Sequence, residues 1–220
     1  MDTFLWYVEL AWDYVQQMLP CALAAGIVFF CVLPLRRRRL AARELSSPVL
    51  REAGLLFFVL FAAGLAGLTV FPANFWPSLP VLLRSGPNWQ TLRPGAGFYW
   101  NITLLDELLD GGAWRMFLML GNLAMFAPFG FFSALLWRRT RWWKSVLAAF
   151  GASVLIEVVQ PFVGRSSDIN DIILNTLGGA AGYAVFLLLR RLAPRFAARF
   201  QCTRMEVPNG RETGDRTAAP

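Results

Sequence analysis

Between Glu157 and Asn175 the chain reads Glu157-Val-Val-Gln160-Pro-Phe-Val-Gly-Arg165-Ser-Ser-Asp168-Ile-Asn170-Asp171-Ile-Ile-Leu-Asn175. This polar run lies between two strongly apolar stretches, Val146–Ile156 and Ile172–Leu189, with one end in each. An ionisable group at bilayer depth costs at least a few kcal/mol, so carboxylates here mark either a site or a structural lock. Glu157 could bind a substrate or a cation. It could equally be protonated, or pair with Arg165, Asn122 or Asn175 to hold helices together. Arg165 offers a planar fork for a phosphate or carboxylate, or a partner for Asp168. Asp168 and Asp171 stand where a helix would begin, a position that favours negative charge and side-chain acceptors. Asp171 and Asn175, one turn apart, carry the polar stripe into that helix.

The chain contains no histidine, which removes histidine-based triads, metal sites and proton shuttles. Ser166 and Ser167 therefore lack a base to activate them. Glu157, Asp168 and Asp171 with nearby amide oxygens would suit Mg²⁺ or Ca²⁺. Their spacing matches no established metal motif, so neither a metal nor another cofactor is expected. The three cysteines, Cys21, Cys31 and Cys202, form no disulfide framework: the first two lie three helical turns apart in one apolar span, too far to bridge.

The elements that must position these groups are membrane helices. Of 220 residues, 56% are hydrophobic and only 16% charged, against about a quarter charged in a typical soluble domain. Stretches of about 20 apolar residues can span a bilayer, and five occur: Met18–Leu35, Ala53–Phe71, Trp114–Trp137, Ser145–Val163 and Ile172–Leu189. Pro34 and Pro72 are expected to mark helix ends. The fold class is thus all-α, a polytopic bundle of about five transmembrane helices.

The formal charge of +7 is explained by topology rather than by nucleic acid. Arg36–Arg39, Arg43 and Arg51 follow the first span. Arg138, Arg139, Arg141 and Lys144 follow the third, and Arg190, Arg191, Arg195 and Arg199 the fifth. The other side carries only Arg84, Arg93, Arg115 and Arg165. The positive-inside rule places the N-terminus outside and the C-terminus inside. The N-terminus lacks the basic region of a cleavable signal, so none is expected. Residues 1–17 read as an amphipathic lead-in, 18–195 as the transmembrane domain and 196–220 as a disordered cytoplasmic tail. Within the outer loop 72–113, leucines and acids over 104–110 predict an interfacial helix.

This topology assigns depths. Glu157 and Gln160 share a face in the outer third of the fourth span. Arg165 and Asp168 lie in the outer connection, and Asp171 and Asn175 at the outer end of the fifth span. Asn122, eight residues past Trp114, sits about 12 Å down the third. By these depths the seven residues are expected to converge on one outward-opening pocket. Gly178 and Gly182, on the stripe of Asp171 and Asn175, allow close helix approach, while Pro128 and Gly130 can bend the third span beside the cavity.

The linked patterns Asn122-x3-Phe126-x-Pro128-x-Gly130, Glu157-x2-Gln160 and Arg165-x2-Asp168-x2-Asp171-x3-Asn175-x2-Gly178 resemble the VanZ-like membrane family. The resemblance covers residues 115–190. The family's Asn-Leu-x-Pro-Phe-like stretch before the third span has only a loose counterpart here, at Gln90–Gly95. The family's namesake accompanies glycopeptide-resistance genes and is associated with teicoplanin resistance. The resemblance implies a multi-pass protein of the bacterial inner membrane.

The expected role is binding of a cell-envelope amphiphile, either a glycopeptide antibiotic or a lipid-linked wall precursor. Its partners are then the lipid bilayer and that ligand, with no nucleic acid. Two alternatives stand beside it. One is an enzyme on a lipid-linked phosphate or sugar, with Glu157 and Asp171 as acid and base. The other is a structural protein whose polar cluster serves packing alone. Nothing in the sequence fixes the oligomeric state.

Overall fold

A computed structural model of the chain describes residues 3–71, 75–85, 100–101, 113–138, 140–163 and 166–204. It is a helix bundle built from α1 (Thr3–Ala41), α2 (Val49–Val70), α3 (Phe75–Ser85), α4 (Ala113–Leu136), α5 (Trp142–Val159), α6 (Ile169–Leu192) and the short α7 (Pro194–Ala198). The described residues also include four two-residue strands: β1 (Leu45–Ser46), β2 (Trp100–Asn101), β3 (Ser167–Asp168) and β4 (Thr203–Arg204). Five of the helices are long and apolar enough to cross a membrane. The protein is thus an all-α, multi-pass membrane protein. The interfacial helix expected over 104–110 lies outside the described residues.

Two boundaries differ from expectation. The helix of the first span does not stop at Pro34, nor does it begin near Met18. α1 runs unbroken through 39 residues, with Pro20 and Pro34 both inside it. Each proline forfeits one backbone hydrogen bond, but its fixed φ is compatible with a helix, so an apolar helix can continue past it. At 1.5 Å per residue α1 is about 58 Å long, well beyond a hydrocarbon core of about 30 Å. The lead-in over 1–17 is therefore, from Thr3 on, the first part of this helix.

The second correction concerns the tail. Residues 196–204 are folded, not disordered. Ala197 and Phe200 are buried in a core with Leu135, Leu136 and Phe186. β4 pairs antiparallel with β1, Leu45 opposite Arg204 and Ser46 opposite Thr203. The Gln201 side-chain amide donates to the Leu135 carbonyl, and Arg51 Nη2 donates to the Leu136 carbonyl at 3.3 Å. The last carbonyls of a helix have no intrahelical donor, and these two side chains close the end of α4. A polar composition hid the segment because its apolar anchors, Ala197 and Phe200, are too few to make a periodic pattern.

The tightest contact is between α4 and α6, which run parallel. Leu123 lies against Gly178 and Ala127 against Gly182, while Gly130 faces Gly179 and Tyr183. A Cβ at Gly182 would collide with the Ala127 carbonyl, and one at Gly178 with the Leu123 carbonyl. Glycine is required here because backbone meets backbone, the close approach that drives helix association in membranes. Pro128 sits within the same stretch of α4. On the other flank α2 meets α4 through aromatic rings, with Phe58 and Phe61 edge-on to Phe129 at 5.5 and 6.2 Å between centroids. α1 packs on α2, where Met18 and Cys21 sit over Gly64 and Gly67.

Gly182→Ala is expected to destabilise the bundle by about 1–3 kcal/mol through overpacking. Gly151→Ala, at a helical glycine with nothing within 4 Å of the added carbon, should be neutral or stabilising by up to about 1 kcal/mol. Denaturant unfolding of both variants in detergent checks the contrast.

Candidate functional site

At the end of α5 the helix tightens into a 3-10 turn, Gln160–Val163, and the chain reverses into β3 before α6 begins. Pro161 enforces that change, since it cannot donate to the continuing ladder. Glu157 sits one turn earlier and is 2% exposed. Its Oε2 accepts from Ser167 Oγ at 2.9 Å and from the Asp168 backbone N–H at 2.8 Å. With its side-chain amide correctly oriented, Gln160 donates to the same carboxylate, at 3.1 Å to Oε2, and to the Ser166 carbonyl at 3.3 Å. A buried carboxylate is tolerable when donors converge on it. Here they come from the connection leading into α6, so one side chain fixes the path of that segment.

Asp168 is the N-cap of α6. Its backbone is extended, and its Oδ1 accepts from Asn170 N–H at 2.8 Å, the usual service of an N-cap acid. Asp171 lies in the first turn of α6, where negative charge is favoured. It also accepts a hydrogen bond from Asn122 Nδ2, across from α4. One turn on, Asn175 is 5% exposed and donates to Ser153 Oγ of α5 at 2.9 Å. Its Oδ1 is buried and has no partner. Deeper still, Ser133 of α4 donates to Ser145 of α5 at 2.8 Å. Each pair among α4, α5 and α6 is thus joined by a side-chain hydrogen bond.

The structure brings the sequence candidates into two groups joined by the start of α6. Glu157, Gln160 and Asp168 form the first, and Asn122, Asp171 and Asn175 the second. Arg165 lies outside the described residues. Among the described residues no three acidic or cysteine side chains are grouped to hold a metal ion.

Several contributors had no signal in the sequence. Ser153 and Ser145, both fully buried, look like ordinary small residues of an apolar span until a partner helix is known. Ser167 faces Glu157 only because the connection folds back. The segment between α3 and α4 returns to the site as well: β2 pairs in parallel with β3, Trp100 beside Ser167 and Asn101 beside Asp168. At the opposite end of the bundle Glu52 is 6% exposed and forms an ion pair with Arg36 of α1. Arg51 is as deeply buried, donating to Ser47 Oγ at 3.3 Å as well as to α4. Charge counting alone treats Arg36 and Arg51 as topological markers.

Glu157→Ala leaves the Asp168 N–H and the Ser167 hydroxyl without their acceptor. Stranding a buried donor costs about 1–3 kcal/mol, so the variant should unfold earlier in denaturant. Ser167→Ala, which removes one donor and keeps the carboxylate, should lose clearly less.

A family model described as VanZ/LLP1 matches residues 21–190, from the middle of α1 to near the end of α6, and so reaches all five apolar helices. Neither the search of curated proteins nor that of solved structures returned a match.

Proposed function

This chain belongs to the VanZ/LLP1 family, and from that premise we propose that it binds a cell-envelope amphiphile at the α4–α6 end that carries Asn122 and Asp171. The observation that carries this reading is the Asn175 amide, buried with its oxygen unpartnered beside the Asn122–Asp171 pair. A buried acceptor without a donor costs about 1–3 kcal/mol, and a ligand hydroxyl or amide would recover it. An amphiphile fits because the helices packed around the pair also carry exposed apolar side chains, including Leu155 of α5 and Leu177 of α6. A head group would meet the polar residues while its tail stayed in lipid.

Within this reading the residues divide their labour. Glu157, Gln160 and Asp168 shape the connection, since hydrogen bonds among them, to Ser166 and Ser167 and to the first turn of α6 fix its path. Asn122, Asp171 and Asn175 contact the ligand. Arg165, in the same connection, supplies the positive charge for an anionic head group. We place this end at the outer face of a bacterial inner membrane, because the basic connections gather at the other end.

Two experiments test the reading. In a Cys21→Ser/Cys31→Ser background, an impermeant maleimide should label Cys202 only after spheroplasts are opened; labelling of intact spheroplasts would reverse the topology. Purified protein in nanodiscs should bind a lipid-linked wall precursor or a teicoplanin-type lipoglycopeptide, and Asn122→Ala and Asp171→Asn should each weaken binding roughly tenfold, equivalent to about 1.4 kcal/mol. Folded variants that bind as well as the parent would leave the cluster with a packing role alone.

A further inference from the structure

The end of the bundle away from this cluster holds a second candidate site. The turn from α4 to α5 closes with Thr140 N–H donating to the Trp137 carbonyl at 3.0 Å. Beside it lies a concavity of about 560 Å³ lined by Arg138, Thr140, Arg141, Trp143 and Lys144. Among the described residues none of these three cations pairs with a carboxylate; the ion pair found there is Arg36–Glu52, elsewhere in the fold. Lys144 Nζ lies 5.4 Å from the centre of the Trp143 ring, which holds the ammonium on the wall of the concavity. α5 begins here with Arg141 as its N-cap and no side-chain capping bond, so the positive end of the helix dipole adds to the same field. Like charges crowded into one concavity repel each other, and an anion relieves that repulsion.

The surroundings select the kind of anion. Trp137, Trp142 and Trp143 are all substantially exposed at this end of α4 and α5, as aromatic residues are at the level of lipid head groups. From Trp143 a stripe of exposed apolar side chains, Leu147 and Phe150, continues along α5 at helical spacing. A soluble anion would use the cations and leave this stripe idle. A phospholipid uses both, with phosphate in the concavity and an acyl chain along α5.

We propose that the α4–α5 turn is a binding site for an anionic phospholipid, whose phosphate is held by Arg138, Arg141 and Lys144 and whose chain lies on Trp143, Leu147 and Phe150. A Lys or Arg near a membrane surface contributes about 1 kcal/mol toward anionic lipid, roughly fivefold in affinity per cation. The test is native mass spectrometry of delipidated full-length protein titrated with phosphatidylglycerol or phosphatidylcholine. Phosphatidylglycerol should bind at least tenfold tighter. Arg138→Gln/Arg141→Gln/Lys144→Gln should remove most of that preference, and Lys144→Gln alone about fivefold of it. Arg191→Gln/Arg195→Gln/Arg199→Gln, an equal loss of charge at the same end, should keep it.

Equal losses in the two triple variants would overturn the proposal in favour of a diffuse positive surface. Displacement of the lipid by an equal concentration of inorganic phosphate would overturn it in favour of a soluble anion. Should the triple variant not fold, Lys144→Gln and the phosphate competition decide alone.

Discussion

The contact of α4 with α6 is the constraint from which most of the structure follows. Lipid gives no hydrophobic drive to bring two apolar helices together, so association depends on close packing and polar contacts. Gly178 and Gly182 let α6 settle onto the carbonyls of Leu123 and Ala127. That fit fixes rotation and register together, because any slip would push a side chain into the backbone. With the register fixed, Asn122 can reach Asp171, and α6 is held at the depth its polar first turn requires. α5 then packs along both helices and ties to them through Ser145 and Ser153.

Glu157 works on a different segment, the connection that must leave one helix and start the next. An uncompensated carboxylate in this position would be prohibitive. Its compensation comes from the Asp168 N–H and Ser167, the residues that open α6, while Asp168 caps the helix that follows. Carboxylate and cap therefore act in series, one fixing the path of the chain and the other the start of the helix. The pairing of Trp100–Asn101 with this strand brings part of a distant loop to the same place. A cluster so arranged is rigid where Glu157 sits and retains an unused acceptor at Asn175, the division on which the proposed ligand contact rests.

The two ends of the bundle are built on opposite electrostatic plans. One gathers carboxylates and amides and satisfies most of them internally. The other gathers cations. Some of those are consumed in structure: Arg36 pairs with Glu52, and Arg51 closes the end of α4. Others, at the α4–α5 turn, line a concavity and pair with no carboxylate among the described residues. The same residue type thus serves topology, structure and a candidate site, and only burial and partners tell these uses apart.

The five spans were legible in the sequence because a bilayer demands an uninterrupted apolar stretch of fixed length, a signal that survives without any knowledge of packing. The parallel course of α4 and α6 followed by counting, and the spacing of Asn122, Asp171 and the glycines placed them for contact. Pro34 misled because proline penalises a helix without forbidding it. The folded segment over 196–204, the burial of Arg51 and Glu52, the Ser153–Asn175 bond and the strand pairing at Ser167 were not legible. Each depends on which face of one element meets a remote one, and short polar segments have no periodicity to announce it. The sequence by itself determined how many helices cross, which end is basic and which polar residues share a depth, since these follow from local hydropathy and charge. Only the tertiary structure decided that Glu157 is saturated and that Asn175 is not, because a hydrogen bond depends on a few tenths of an ångström between atoms far apart in the chain.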